Sequence, residues 1–276
     1  MTNLHSVYEI GTPIYKYCSM SSFEQIIKNK VLWLTKAGHM KDKTEGKWLD
    51  QFLKKYPVSK ERKKVLRKHK ASANNTYLSC FSNSDAGDIL EQWKEYADGG
   101  RGVCLGFKFN NHGFQRPRSI EDMTKWHKEE LLLIPVIYDE NTQKDIVVYI
   151  APEHEYEDDK AGWIEKTKDG LIYRIFSLIC KAPKYSKEYE TRLIYAPSLG
   201  KAQGPLPLEL EGPFTRPGLD RPSDYYKLPI DINGKYVELC SVMIGPKNEA
   251  TKQHIGNLLD KAGFKNFKNI KTSSHK

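Results

Sequence analysis

Apolar positions along this chain follow two rhythms, short runs that suit strands and three-to-four spacings that suit helices. Pro13-Ile14-Tyr15-Lys16-Tyr17 predicts an opening strand. Ser21-Ser22-Phe23-Glu24 reads as a capping box, opening a helix that buries Phe23, Ile26 and Ile27. Val31-Leu32-Trp33-Leu34 predicts the next strand. Trp48, Leu49, Phe52 and Leu53 recur at helical spacing after Gly46. Tyr77 to Ser82 predicts a strand, and Ile89, Leu90, Trp93, Tyr96 and Ala97 mark another helix. Gly99-Gly100-Arg101-Gly102 stops that helix. No helix follows the next strand in the order a dinucleotide fingerprint requires, so these glycines read as a helix stop and not a phosphate cradle.

Val103 to Phe107 predicts a buried strand, with further strand candidates at Leu131 to Tyr138 and Ile146 to Ile150. An acidic loop over Glu153 to Asp159 precedes an Ile- and Leu-rich helix from about Trp163 to Cys180. Ser198 to Ser223 is rich in Pro and Gly and predicts a long loop or lid. Val237 to Ile244 predicts a strong strand, closed by Gly245-Pro246 and followed by a helix over Ile255, Leu258 and Leu259. Strands and helices mix without the alternation of parallel βαβ units. That predicts an α+β fold with a mixed, largely antiparallel sheet and flanking helices. With no internal repeat and no clean boundary, residues 1–276 read as one domain.

Composition sharpens this picture. The 39% hydrophobic and 11% aromatic content of 276 residues excludes a disordered chain. A net charge of +9 favours an anionic partner: nucleic acid, a phosphate-bearing small molecule or an acidic protein. The most basic stretch, Ser59 to Lys70, reads first as a solvated helical face and second as a phosphate-tracking patch. It lacks aromatic residues for base stacking. No segment has the apolar length to span a bilayer, and the N-terminal residues lack the pattern of a signal peptide. Cys18, Cys80, Cys104, Cys180 and Cys240 are odd in number and widely spaced, which predicts free thiols in a reducing compartment, the cytoplasm.

The candidate chemistry lies at Glu188-Tyr189-Glu190-Thr191-Arg192. On an extended strand, residues two apart share a face, so Glu188, Glu190 and Arg192 line one side. Two neighbouring carboxylates need a cation or a ligand if they are buried, and Arg192 is the built-in partner. The bland reading is a solvated strand of alternating charges. Metal binding finds little support: there is no Cys-x-x-Cys or His-Glu-x-x-His, and no metal is expected.

Tyr15-Lys16-Tyr17, Leu32-Trp33-Leu34, Cys80-Phe81-Ser82, Trp93 with Tyr96-Ala97-Asp98, Gly102-Val103-Cys104-Leu105-Gly106-Phe107, Lys181, Glu188-x-Glu190-x-Arg192 and Ile244-Gly245-Pro246 occur in one order. On these landmarks the chain resembles a bacterial family known only as a domain of unknown function. Where that family has Asn-Asp-Pro-x-Glu, this chain has Lys41-Asp42-Lys43-Thr44-Glu45. The family in turn is similar to ADP-ribosyltransferases, an early basic or aromatic element matching Tyr15-Lys16-Tyr17. A Ser-centred strand matches Ser79-Cys80-Phe81-Ser82, and a late acidic element matches Glu188-x-Glu190. Lys16 stands near the Arg or His of those enzymes, and Cys80-Phe81 interrupts the usual Ser-Thr-Ser.

The resemblance implies cleavage of NAD as a substrate and modification of a macromolecule, nucleic acid given the charge, in a setting of bacterial defence or toxicity. Glu190 would stabilise an oxocarbenium-like transition state and Glu188 would position or deprotonate the acceptor. Lys16 and Arg192 would meet phosphate or orient the carboxylates, while Tyr15, Ser79 and Ser82 would complete the NAD site. Trp93, Tyr96 and Tyr17 would stack on nicotinamide or adenine. For Trp93 ordinary core packing is the stronger alternative. Two other readings stay open: a divalent-metal nuclease using Asp42, Glu45, Glu188 and Glu190, and a non-catalytic module that binds nucleic acid or another partner. The oligomeric state is not legible.

Overall fold

The computed structural model describes residues 11–39, 47–54, 75–83, 87–110, 113–119, 122, 131–150, 173–197, 207–216, 222–230 and 234–275. Among the described residues eleven strands form one sheet. They are β1 (Ile14–Cys18), β2 (Val31–Lys36), β3 (Tyr77–Ser82), β4 (Val103–Phe109), β5 (Phe114–Gln115), β6 (Leu131–Pro135), β7 (Glu190–Tyr195), β8 (Glu211–Arg216), β9 (Ser223–Pro229), β10 (Val237–Ile244) and β11 (Ile270–Thr272). The order is β11-β10-β4-β1-β3-β2-β9-β8, with β7, β6 and β5 branching from β3. Among the named strands, β10–β11 and β5–β6 pair in parallel. The remaining pairs are antiparallel, as the α+β expectation requires.

The branch at β3 decides where the chemistry sits. One edge of β3 pairs with β7 along its whole length, from Tyr77↔Tyr195 to Ser82↔Glu190. The other edge is shared: β2 takes Tyr77 and Leu78, and β1 reaches only Ser82. Between those contacts the sheet splits. The ammonium of Lys16 enters the split and donates to Ser79 Oγ at 3.0 Å and to the Cys80 carbonyl at 3.1 Å. A strand group that would otherwise lack a ladder partner is satisfied by a side chain.

Alternation along each strand feeds two cores. Phe81, Leu193, Leu133, Leu105 and Leu228 face one side, under α1 (Met20–Asn29) and α6 (Lys252–Lys261). Leu78, Ile194, Leu132 and Ile134 face the other, against α2 (Trp48–Leu53), α4 (Glu140–Ile150) and α5 (residues 173–179). A small third cluster joins Tyr17, Trp93, Ala97 and Cys104 beneath α3 (Leu90–Tyr96). Cys18, Cys104 and Cys180 are buried free thiols, and Cys80 and Cys240 are half-buried ones.

Several expectations need correction. Ile146 to Ile150 is the end of helix α4 and not a strand. Asp139 accepts from the Thr142 amide at 2.6 Å and starts the helix, and Gln143, Ile146 and Val147 then form its buried stripe. The cap of α1 is Ser19, whose hydroxyl accepts from the Ser22 amide at 3.3 Å, so the helix begins before the expected Ser21 box. Ser198 to Ser223 is not wholly a loop: β8 lies within it and makes a hairpin with β9. Gly99 and Gly100 do stop α3, with φ of 65° and 97°. Lys41 to Glu45, Ser59 to Lys70, Glu153 to Asp159 and the first part of the Trp163 helix lie outside the described residues.

Helix α6 offers a local test. Thr251 Oγ1 accepts from the His254 amide at 3.1 Å at the start of a helix that buries Ile255 and Leu259. Thr251→Ala is expected to lower stability by about 1 kcal/mol, read as a reduced urea midpoint at unchanged slope.

Candidate functional site

The Glu188 segment is built from a turn and a strand, not a strand alone. Pro183–Glu188 forms a tight helical turn, and Tyr189, at φ 46°, reverses the backbone before β7 begins at Glu190. Tyr189 is fixed there by two backbone bonds: its amide donates to Ser186, and its carbonyl accepts from Asn83 at 2.6 Å. Glu190 and Arg192 therefore share a strand face as expected, whereas Glu188 does not lie on the strand. It reaches the same place from the turn.

Four charges meet at this point. Arg192 Nε donates to Glu190 Oε1 at 2.8 Å and Nη2 to Oε2 at 3.0 Å. Arg192 Nη1 donates to the Leu178 carbonyl near the end of α5. Lys181 Nζ lies 2.7 Å from Glu190 Oε2 and 2.8 Å from Glu188 Oε2. Lys181 is held in place because its amide donates to Ile137 O at 3.1 Å and its carbonyl accepts from Gln143 Nε2 at 2.8 Å. Tyr96 Oη donates to Glu188 Oε1 at 3.2 Å, Gln92 Nε2 donates to the Glu188 carbonyl at 3.0 Å, and the Glu190 amide donates to Tyr138 Oη at 3.3 Å.

The electrostatics follow from this packing. Burial alone would raise the Glu190 carboxyl, but Arg192 and Lys181 outweigh it and hold the group down to about 2. Burial would depress the Lys181 ammonium, and Glu190 and Glu188 reverse that and raise it. The Tyr96 and Tyr138 phenols are pushed up, first by burial and then by Glu188 and Glu190 respectively. Burial lowers the Lys16 ammonium, against smaller opposing effects of Cys80, Cys18 and Glu190. Glu190 is thus fully ionised at neutral pH and saturated with cationic donors. Glu188, whose side chain keeps 20% of its surface exposed, is the carboxylate that a ligand can reach.

Glu188, Glu190, Arg192 and Tyr96 therefore come together. Lys16 and Ser79 meet each other at the split. Ser79 shares its face of β3 with Phe81, and its register partner is Leu193, so it points to the side of the sheet away from Glu190. Ser82 is in register with Glu190 and buried, and its hydroxyl has no hydrogen-bond partner among the described residues. The Tyr15 ring packs on Gly87, where an added Cβ would stand 2.4 Å from Tyr15 Cδ1. Tyr17 and Trp93 make an edge-to-face pair at 4.9 Å. The Trp93 indole donates to Asp88 at 2.6 Å, and Tyr17 Oη accepts from the Ile89 amide. Their rings are buried, the core packing favoured for Trp93 and the alternative to stacking for Tyr17. Tyr96, which bonds Glu188, and Tyr189, the residue that follows it, instead stand at the surface, 50% and 54% exposed.

Lys181, Tyr138 and Gln92 were not among the expected site residues. Lys181 carried a readable signal, a lone lysine between Cys180 and Ala182 at the end of an apolar helix. Tyr138 and Gln92 carried none. Among the described residues no three His, Cys, Asp or Glu side chains gather to hold a metal ion, and Asp42 and Glu45 lie outside them. Among the same residues no helix is long and apolar enough to cross a membrane.

Comparison with known proteins bears on the same stretch. No curated protein and no solved structure matches the chain. Residues 92–193, which run from α3 into β7 and include Gln92, Tyr96, Lys181, Glu188, Glu190 and Arg192, match the model of a family described as a protein of unknown function, DUF2971.

Proposed function

We propose that the chain is an ADP-ribosyltransferase-like enzyme that cleaves NAD, with Glu188 as its working carboxylate and Glu190 as the buried anchor that holds the site together. The observation that carries this reading is the difference between the two acids. Glu190 is buried with both oxygens engaged by Arg192 and Lys181, while Glu188, bonded to Lys181 at one oxygen and to Tyr96 at the other, keeps 20% of its side-chain surface open. A carboxylate in that position can accept a ribose hydroxyl and face the positive charge that develops as the nicotinamide–ribose bond breaks. The bond electrons leave with nicotinamide. The acceptor then bonds to the ribose carbon and gives its proton to Glu188 or to water. Tyr96 and Tyr189 offer flat surfaces for a heteroaromatic ring, and the +9 chain favours an anionic acceptor such as nucleic acid.

The test is nicotinamide release from NAD by the purified chain with candidate acceptors, followed by chromatography. Glu188→Gln is expected to lower the rate roughly 100-fold or more while leaving the melting temperature close to that of the parent. Undiminished release by this variant would overturn the assignment. Glu190→Gln is a poor probe of chemistry because it disturbs the buried charges.

One observation favours a second reading, a non-catalytic binding module: the two carboxylates and two cations neutralise each other without any ligand. That reading expects no NAD turnover by the folded chain, and binding of an anionic partner that Glu188→Gln leaves intact.

A further inference from the structure

Strands β2 and β9 turn Leu32, Leu34, Tyr226 and Leu228 into the core. Period-two alternation therefore turns Trp33, Tyr225 and Lys227 to the opposite face. On β8, Phe214 is in register with Tyr225 and Arg216 with Ser223, so both join that face. The three rings form a row, with Trp33 and Tyr225 centred 5.2 Å apart and Tyr225 and Phe214 5.7 Å apart. Two cations lie on the row. The Arg216 guanidinium is 4.8 Å from the centre of the Trp33 ring and 5.8 Å from that of Tyr225, and Lys227 Nζ is 4.1 Å from that of Phe214. All five side chains are half-buried, so each keeps some surface open.

The charge on this face is not internally balanced. Neither Arg216 nor Lys227 makes an ion pair among the described residues, although Glu211 is the register partner of Lys227. Asp224, on the alternate side of β9, is already engaged by Lys36 and Thr215. An acidic protein surface would satisfy the cations but make little use of a row of rings. A bilayer would make little use of cations seated on the ring faces. A strand of unpaired nucleotides satisfies both features, because every base has a flat face and every linkage a negative charge.

We propose that the β2–β9–β8 face binds single-stranded nucleic acid. Bases stack against Trp33, Tyr225 and the planar guanidinium of Arg216, and phosphates meet Arg216 and Lys227. The assignment is independent of the Glu188 site, so either can fail without the other.

The full chain is titrated with fluorescein-labelled oligo(dT) and oligo(U), read by fluorescence anisotropy at several salt concentrations. A duplex of equal length and heparin serve as comparators. Wild type is expected to bind the single strands more tightly than the duplex. Trp33→Leu is expected to weaken that binding roughly tenfold or more. Arg216→Gln and Lys227→Gln are each expected to reduce the slope of log affinity against log salt by about 0.7. Circular dichroism checks each fold, and Lys227→Gln decides the matter if Trp33→Leu fails to fold. Three results overturn the proposal: no binding by wild type, binding that survives the Arg216→Gln/Lys227→Gln pair, or equal binding of heparin and oligonucleotide that is indifferent to Trp33.

Discussion

Arg192→Met is expected to destabilise the protein by about 3–5 kcal/mol, the range for removing one partner of a buried ion pair. Arg192 is fully buried and donates twice to Glu190 and once to the Leu178 carbonyl. Methionine fills much of the volume but supplies none of these donors. Among the described residues the Glu190 carboxylate then keeps Lys181 as its one paired cation, and Lys181 is shared with Glu188. The Leu178 carbonyl, near the end of α5, loses a donor as well. Urea unfolding should show the loss as a lower midpoint at similar slope.

A second substitution separates this mechanism from simple misfit. In Glu190→Met/Arg192→Met the stranded carboxylate is gone, and two apolar side chains replace the pair. Such replacements are often close to neutral in stability. The double variant is therefore expected to be more stable than Arg192→Met alone, with a coupling of about 2 kcal/mol or more. Lys181 keeps Glu188 as its counterion. If the double variant is as unstable as the sum of the single ones, packing and not charge holds this region.

The strands that define the sheet were legible where apolar runs are short and clean, as at Ile14–Cys18, Val103–Phe109 and Val237–Ile244. Helix α4 was misread because Ile146 to Ile150 is locally rich in β-branched and aromatic residues. Its helical state depends on Asp139 at the start and on Gln143, which donates to Ile137 O at 2.7 Å. Strands β8 and β9 were missed for a different reason. β8 is an edge strand, alternating exposed and half-buried positions and containing Pro213, and such a sequence does not look apolar. The branch at β3 could not be read at all, since it arises from pairings more than a hundred residues apart.

The site was legible in part for equally concrete reasons. Glu190 and Arg192 stand two apart on a strand, and that spacing alone predicts a shared face. Glu188 was placed correctly in space for an incorrect reason. Nothing about a tyrosine announces a left-handed backbone, yet Tyr189 adopts one and takes Glu188 off the strand. Lys181 then brings Glu188 back beside Glu190 through a contact that no local pattern encodes. The late acidic pair was visible in sequence, but the division of labour within it depends on which acid receives the cations.

That division gives the second large effect, an acid-sensitive fold. The Glu190 carboxyl sits at about 2 in the folded protein against an ordinary value of 4.5. Above pH 4.5 it is ionised in both the folded and the unfolded chain, and its stabilising effect is fully present. Between pH 4.5 and 2 the unfolded chain takes up a proton that the folded chain refuses, so stability falls by on the order of 3 kcal/mol. Asp88 and Asp224 are also held below the usual range, Asp88 by the serines at 273 and 274 and by Trp93 against the effect of its burial, Asp224 chiefly by Lys36. The whole acid limb is therefore not due to Glu190, and the comparison that isolates it is with Glu190→Gln. At pH 7 that variant should be several kcal/mol less stable, because Arg192 and Lys181 lose their common anion. From pH 4.5 downward its stability should fall less steeply than that of the parent. The two curves should converge near pH 2, where Glu190 itself is half protonated. Urea midpoints at half-unit pH intervals measure this directly, and parallel curves across the window would show that the buried carboxylate is not held down by its two cations.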